Sequence, residues 1–298
     1  MFPVSANELP EAIVGGVEAL VGSRPIAGLR ALGGFSIAER WSLELEDGRR
    51  VFAKLGITKD LGHRLQAEYR NMLVVPQEFR CQVVGWRGTH PRLLVVEDLS
   101  DARWPPPWQP GDVEKVLETM ERLWGTPPPT HFPSAEQDRK TLSGWQKIAA
   151  DPSGFLSLNV GSPDWLKHSL PTLIEAEQAA VLDGDDLIHL DLRSDNLCFT
   201  GNRVVLVDWN FACRGNRALD LALWAPSLCL EGGPLPDELL PGHGEYAAAW
   251  SGCLAHGAPL PAPTGAPTVR MFQLRQLHVA LPWACRVLGL PGADLLLS

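Results

Sequence analysis

The sequence predicts an α+β protein in which a small antiparallel β-sheet lobe precedes a larger, mainly helical lobe. Three observations carry that expectation. Residues 28–98 alternate apolar and polar positions in short runs separated by turns, as strands with one face in a core do. From Ser100 onward the apolar spacing becomes helical, punctuated by the proline-rich turns Trp104-Pro105-Pro106-Pro107-Trp108 and Thr126-Pro127-Pro128-Pro129. With 298 residues, 45% of them hydrophobic, the chain can bury a sizeable core as one large domain or two lobes. The boundary is placed at residue 98. Residues 1–98 are expected to hold an N-terminal helix, a five-stranded sheet and one further helix; residues 99–298 are expected to be helical.

The first lobe can be justified piece by piece. WSLELEDGRRVFAKL reads as two strands joined by an Asp47-Gly48 turn and ending near Lys54. In LGHRLQAEYRNML, Leu61, Leu65, Tyr69 and Met72 fall at helical spacing, and Glu68 adjoins that apolar face. Glu68 could therefore turn toward the sheet and pair with Lys54, or remain an ordinary exposed glutamate; Asp60 and Glu78 sit at the helix margins. Leu93 to Val96 form a buried-strand run that closes in Glu97-Asp98-Leu99, with the Asp98 side chain expected to face solvent. Gly33-Gly34, in Leu32-Gly33-Gly34-Phe35-Ser36-Ile37, either makes a simple tight turn or forms a hairpin tip able to offer backbone N–H groups and Ser36 to phosphates.

In the second lobe, helices are expected over roughly 111–125, 135–150, 165–182, 217–229, 242–256 and 268–288. The eleven tryptophans read mainly as core. Two apolar runs, Leu197-Cys198-Phe199 and Val204 to Val207, flank Gly201-Asn202 and predict an antiparallel hairpin.

That hairpin carries the chemistry. It follows LIHLDLRSDN, which places His189, Asp191, Arg193 and Asn196 in one tight turn, and it ends in Asp208. Antiparallel pairing would bring Asn196 and Asp208 close enough to share a metal. Phosphoryl transfer from ATP needs this inventory: a carboxylate to orient the attacking hydroxyl, a cation near the γ-phosphate, and an amide plus a carboxylate for Mg²⁺. A surface loop of solvated aspartates is the bland alternative. The spacing H-x-D-x-x-x-x-N arises by chance in about one such chain in a hundred, which disfavours it.

HLDLRSDN aligns without gaps on the catalytic loop HRDLKPEN of the protein-kinase-like superfamily, and Asp208-Trp209-Asn210 sits at its DFG position. Trp209 to Leu219 contains no Ser, Thr or Tyr and no APE follows, so no activation loop fits there. The short run to Asp220-Leu221-Ala222 resembles the aminoglycoside phosphotransferase and choline kinase family, with its HGDLHxxN, DWE or DFE, and DLA. Arg193 replaces the family's usual His, and Asn210 its acidic residue.

The resemblance implies a bilobal protein-kinase-like fold and a set of roles. Asp191 would be the catalytic base, Arg193 the phosphate-facing cation, and Asn196 with Asp208 the Mg²⁺ ligands. His189 would be structural, and Asp220 would brace the catalytic loop through backbone N–H groups. Phe52-Ala53-Lys54 matches the VAIK strand: Ala53 would roof the adenine, Lys54 would reach the α- and β-phosphates, and Glu68 would pair with it. Ser36 would cover the phosphates. The hinge would offer the Glu97 carbonyl and the Leu99 N–H to adenine, with Cys198 and Val207 as its floor. The implied reaction uses ATP and Mg²⁺ to phosphorylate a hydroxyl of a small molecule, with the acceptor site in residues 99–298. Extra helices between Glu68 and Asp191 help form that site in the family.

Composition narrows the partners. Residues 1–98 are electrically balanced, so the whole net charge of −9 falls in residues 99–298. That field favours a cationic acceptor, such as an aminoglycoside-like molecule or an amino sugar, and argues against nucleic acid. Asp195, Glu231, Asp237, Glu238 and Glu245 are candidate contacts. A metabolic acceptor (homoserine, choline, a sugar or a fructosamine) is the rival within the fold, and a nucleotide-binding pseudokinase scaffold the rival outside it. Six cysteines without C-x-x-C spacing read as reduced core thiols of a cytoplasmic protein. Glu8, Glu11 and Glu18 interrupt the first apolar segment and no apolar run reaches membrane-spanning length, so neither export nor a membrane span is expected. Oligomeric state is not legible.

Overall fold

The turn at Asp47-Gly48 sets the register of the sheet. Gly48 takes φ +80°, a conformation a side chain would strain, and the Asp47 carboxylate accepts the Arg49 backbone N–H at 3.0 Å. The computed structural model, which describes residues 3–5, 9–31 and 39–292, divides the chain into two compact units. The first comprises Met1–Pro105 and Ser194–Ala212; the second comprises Pro106–Arg193 and Cys213–Ser298.

In the first unit, strands β1 (Pro3–Ser5), β2 (Pro25–Arg30), β3 (Glu39–Leu45), β4 (Arg50–Gly56), β5 (Val83–Arg87) and β6 (Arg92–Glu97) form one antiparallel sheet in the order β1-β2-β3-β4-β6-β5. The sheet has six strands where the sequence predicted five. The extra edge strand is only three residues long, too short to display the alternation by which strands are read. Helix α1 (Glu11–Val21) buries Ile13, Val14 and Val17 against Leu43, Leu45, Val51, Leu93 and Val95. Helix α2 (Lys59–Val74) is capped by Thr58, whose hydroxyl accepts the Leu61 N–H, and it buries Leu65, Glu68 and Met72 on one face.

The same unit contains the hairpin of β8 (Leu197–Thr200) and β9 (Arg203–Leu206); β7 (Asp186–Ile188) belongs to the second unit. Leu197 pairs with Leu206 and Thr200 with Arg203 around Gly201, at φ +58°. Arg103 joins the outer edge through two backbone hydrogen bonds with Phe199, at 3.1 and 2.9 Å. The hairpin thus groups with the sheet, although it lies a hundred residues beyond the expected boundary.

The second unit is helical: α3 (Asp112–Trp124), α4 (Trp145–Ala150), α5 (Ser153–Ser157), α6 (Pro163–Ala179), α7 (Ala218–Leu230), α8 (Pro236–Leu239), α9 (Gly244–Gly257) and α10 (Val269–Leu288). Among the described residues of this unit, a small two-stranded sheet pairs β7 with β10 (Cys213–Gly215). The single helix expected over 135–150 is instead a 3₁₀ turn at Ala135–Asp138 and the short α4. The reason is tertiary. Gly144 lies so close to α9 that a Cβ there would fall 1.8 Å from the Gly252 carbonyl oxygen. The buried Glu177 carboxylate takes the Gly144 and Trp145 N–H groups at 2.7 and 3.0 Å, starting α4 at Trp145. Among the described residues no helix is long and apolar enough to cross a membrane.

Candidate active site

Lys54 comes from the centre of the sheet, where β4 pairs with β3 on one side and β6 on the other. Its ammonium donates to Glu68 Oε1 at 2.7 Å and makes a second, short contact to Asp208 Oδ1. Only 8% of Lys54 and 5% of Glu68 is exposed. Burial disfavours the ammonium, yet the Asp208 and Glu68 carboxylates outweigh it and hold the lysine above its ordinary pKa. Burial pushes the Glu68 carboxyl up against the pull of Lys54. Glu68 reaches the lysine because it lies three residues after Leu65 and four before Met72, on the helix face turned to the sheet.

Asp208 is aimed by backbone geometry. It adopts φ +63° and ψ +53°, a left-handed conformation uncommon for a residue with a side chain, directly after β9. Two bonds hold the following turn. The buried Trp209 donates its indole N–H to the Leu206 carbonyl at 3.0 Å, and the Asn71 amide donates to the Trp209 carbonyl at 2.7 Å. Asn71 escaped the sequence reading, although its place three residues after Glu68 puts it on the same helical face. Asn196, 2% exposed, sits across the hairpin base, where its carbonyl accepts the Val207 N–H at 2.9 Å.

This donor set suits Mg²⁺. Carboxylate and amide oxygens are the hard ligands it prefers, and it commonly takes one or two carboxylates from a protein while substrate phosphates and water complete the shell. Among the described residues no cluster of three or more His, Cys, Asp or Glu side chains forms a metal cage.

The residues expected around a nucleotide base are placed as follows. Ala53 is fully buried and pairs with Val95 and Trp41. Cys198 is fully buried opposite Val205, its thiol pushed up to about 12 by burial, and Val207 is half-buried. Glu97 exchanges backbone and side-chain hydrogen bonds with Gln82, and the Leu99 carbonyl accepts from Ala102 N–H and the Trp104 indole. Asp98, expected to face solvent, is half-buried because its carboxylate caps the Ser100 N–H at 2.9 Å. Ser36 and the rest of the glycine-containing segment lie outside the described residues.

In the second unit the turn after β7 carries Asp191 and Arg193. Arg193 Nε lies 3.6 Å from Asp191 Oδ1, and its guanidinium lies 5.9 Å from the Phe272 ring on α10. Behind them Asp220 is completely buried. Its Oδ1 accepts the Leu190 N–H at 2.7 Å and its Oδ2 the His189 N–H at 3.1 Å. Leu190 has φ +61°, so the carboxylate secures a turn that is intrinsically unfavourable. Burial raises the Asp220 pKa to about 6, against the pull of the Trp124 indole and the two backbone donors. Trp124 and Phe272 were not anticipated; no local sequence signal ties either to the turn.

Four of the acidic side chains considered for acceptor contacts have partners within the fold. Glu231 accepts the Trp108 indole N–H, Asp237 pairs with Arg286, Glu238 accepts the Leu235 N–H, and Glu245 pairs with His243.

Comparison with known proteins bears on the family and the fold. The model of the APH phosphotransferase enzyme family matches residues 105–254. No curated protein matches significantly. Among solved structures, a spectinomycin phosphotransferase complexed with ADP and spectinomycin has a TM-score of 0.62 at 11% identity, covering 91% of this chain and 94% of the other. An aminoglycoside phosphotransferase in a ternary complex with ADP and hygromycin B gives 0.56 at 14% identity, with coverages of 91% and 98%. A choline/ethanolamine kinase family protein from Mesorhizobium loti gives 0.57 at 15% identity, with coverages of 88% and 91%. At these identities the likeness is one of fold.

Proposed function

The chain belongs to the APH phosphotransferase enzyme family, and from that premise we propose that it transfers the γ-phosphoryl group of ATP, with Mg²⁺, to a hydroxyl of a small molecule. The observation that carries this reading is Lys54, buried and in contact with both Glu68 and Asp208. A lysine fixed in this way presents a permanent charge without rearrangement, the preorganisation that phosphate chemistry rewards.

The roles follow from donor chemistry. Lys54 holds the α- and β-phosphates, oriented by Glu68. Asn196 and Asp208 would hold Mg²⁺, which supplies charge neutralisation on the phosphate oxygens when bound. Asp191 accepts or orients the proton of the attacking hydroxyl. Arg193, which spans Asp191 and Phe272, offsets charge on the transferring group. Ala53, Cys198 and Val207 enclose the adenine, and Glu97 and Leu99 pair with it through their backbone.

The acceptor is proposed to be a small cationic alcohol, such as an amino sugar or an aminoglycoside-like molecule. Support comes from the net charge of −9 carried by residues 99–298, not from any single carboxylate. Choline, fructosamines and homoserine belong in the same test panel. The free thiols support a reducing, cytoplasmic setting.

A coupled assay for ADP release over that panel, with and without Mg²⁺, tests the reaction. Asp191→Ala should lower turnover by about a thousandfold while ADP still raises the melting temperature of the variant. Near-normal turnover in that variant would remove Asp191 from the chemistry. Absence of ADP release with every acceptor, and with water, would remove the reaction itself.

A further inference from the structure

We infer that Trp124, on α3, is a positioning residue for the Asp191 turn, acting through its indole N–H on the Asp220 carboxylate. The inference extends the proposed phosphotransfer, which supplies one of its two readouts.

Asp220 has two oxygens and three donors. Oδ1 is taken by the Leu190 N–H, while Oδ2 accepts the His189 N–H and, at 2.9 Å, Trp124 Nε1–H. The two backbone bonds hold the residues immediately before Asp191, including Leu190 in its left-handed conformation. A carboxylate free to rotate could not hold both N–H groups at once. The indole bond is the only one of the three that comes from outside the turn, so it fixes the orientation of the carboxylate against the helical body.

Trp124 is itself immobilised. It is 3% exposed, and the Arg217 guanidinium lies 5.4 Å from its ring. Arg217 in turn bonds Asp186 at the start of β7 at 3.0 Å through two nitrogens, and Glu121 on α3 at 3.0 Å. The tryptophan is therefore wedged between the helix that carries it and the strand that leads into the turn. A core aromatic with no further duty would need only the ring; here the N–H has an ionisable partner.

That partner gives the role a signature. The charged and titratable groups around Asp220 are Asp186 from β7, His189 from the turn, Cys213 from β10, and Arg217 with Glu121 beyond the indole. Burial and Asp186 oppose ionisation of Asp220; the indole and the two backbone N–H groups favour it. Removing one donor moves protonation to higher pH and slackens the clamp over a range where the intact protein still holds it.

Trp124→Phe keeps the ring and deletes the N–H. Turnover of this variant, followed as ADP release with water as acceptor if no better one has been found, should fall about tenfold near pH 7 with the KM for ATP unchanged. Its acid limb should move up by about one pH unit. Hydrogen–deuterium exchange over residues 186–193 should quicken while the melting temperature changes little. A merely structural tryptophan would lower the melting temperature and leave the pH profile alone; that result overturns the inference.

Should the variant fail to fold, the unaltered protein decides. Exchange at the Leu190 amide, corrected for intrinsic pH dependence, should speed up as pH falls through about 6, the Asp220 value. Protection that is flat across that range overturns the inference too. If the unaltered protein releases no ADP, the phosphotransfer proposal fails, and the exchange experiment still judges the clamp.

Discussion

Lys54 shows how one buried charge is made tolerable and useful. An ammonium at 8% exposure would be costly alone, but Glu68 and Asp208 flank it, so it remains protonated and fixed. Removing one member of such a set is worse than removing a pair. Lys54→Met should destabilise the protein by about 3 kcal/mol, because it leaves Glu68 buried without its cation. Lys54→Met combined with Glu68→Met should recover much of that loss. Urea unfolding of the two variants side by side tests this; equal losses would mean that the pair is more hydrated than its burial indicates.

At the scale of elements, two glycines that look alike in sequence have opposite environments. Gly144 lies before α4 and against α9, where an added methyl meets the Gly252 carbonyl oxygen. Gly201 lies in the β8–β9 turn with open space around it and only its φ of +58° to satisfy. Gly144→Ala should therefore cost about 3 kcal/mol, since α4 and α9 must move apart. Gly201→Ala should cost about 1 kcal/mol of backbone strain. Thermal unfolding of both variants measures the difference, and a reversed order would mean that α4 yields easily.

For the molecule as a whole, the buried acid Asp220 gives a definite part of the expected response to pH, beside Glu68 and Glu177, whose carboxyls burial also pushes up. Asp220 has an ordinary value of 3.8 and a folded value of about 6, so between those limits the folded chain binds more protons than the unfolded one. Stability from this group is thus fully present below pH 3.8 and is lost as pH rises through about 6. The loss amounts to roughly 3 kcal/mol relative to Asp220→Asn, whose side chain does not titrate. Chemical unfolding of both proteins at pH 4 and pH 7 measures it. A difference between them that does not change with pH would show that Asp220 ionises normally. All six thiols are pushed up by burial, so none contributes a competing titration in that window.

The sequence by itself determined the local conformations and the chemical inventory. The Asp47-Gly48 and Gly201-Asn202 turns, the helical face shared by Leu65, Glu68 and Met72, and the turn bearing Asp191 and Arg193 all follow from residues within a few positions of each other. Backbone preferences and side-chain periodicity are local properties, so local spacing exposes them. Tertiary structure alone decided that Trp124 meets Asp220 from 96 positions away, that Glu177 starts α4, that the hairpin after Arg193 groups with the sheet, and that Glu231 and Asp237 are taken by Trp108 and Arg286. Such partnerships depend on how finished elements pack, and a buried polar atom takes whatever complementary group that packing brings within reach.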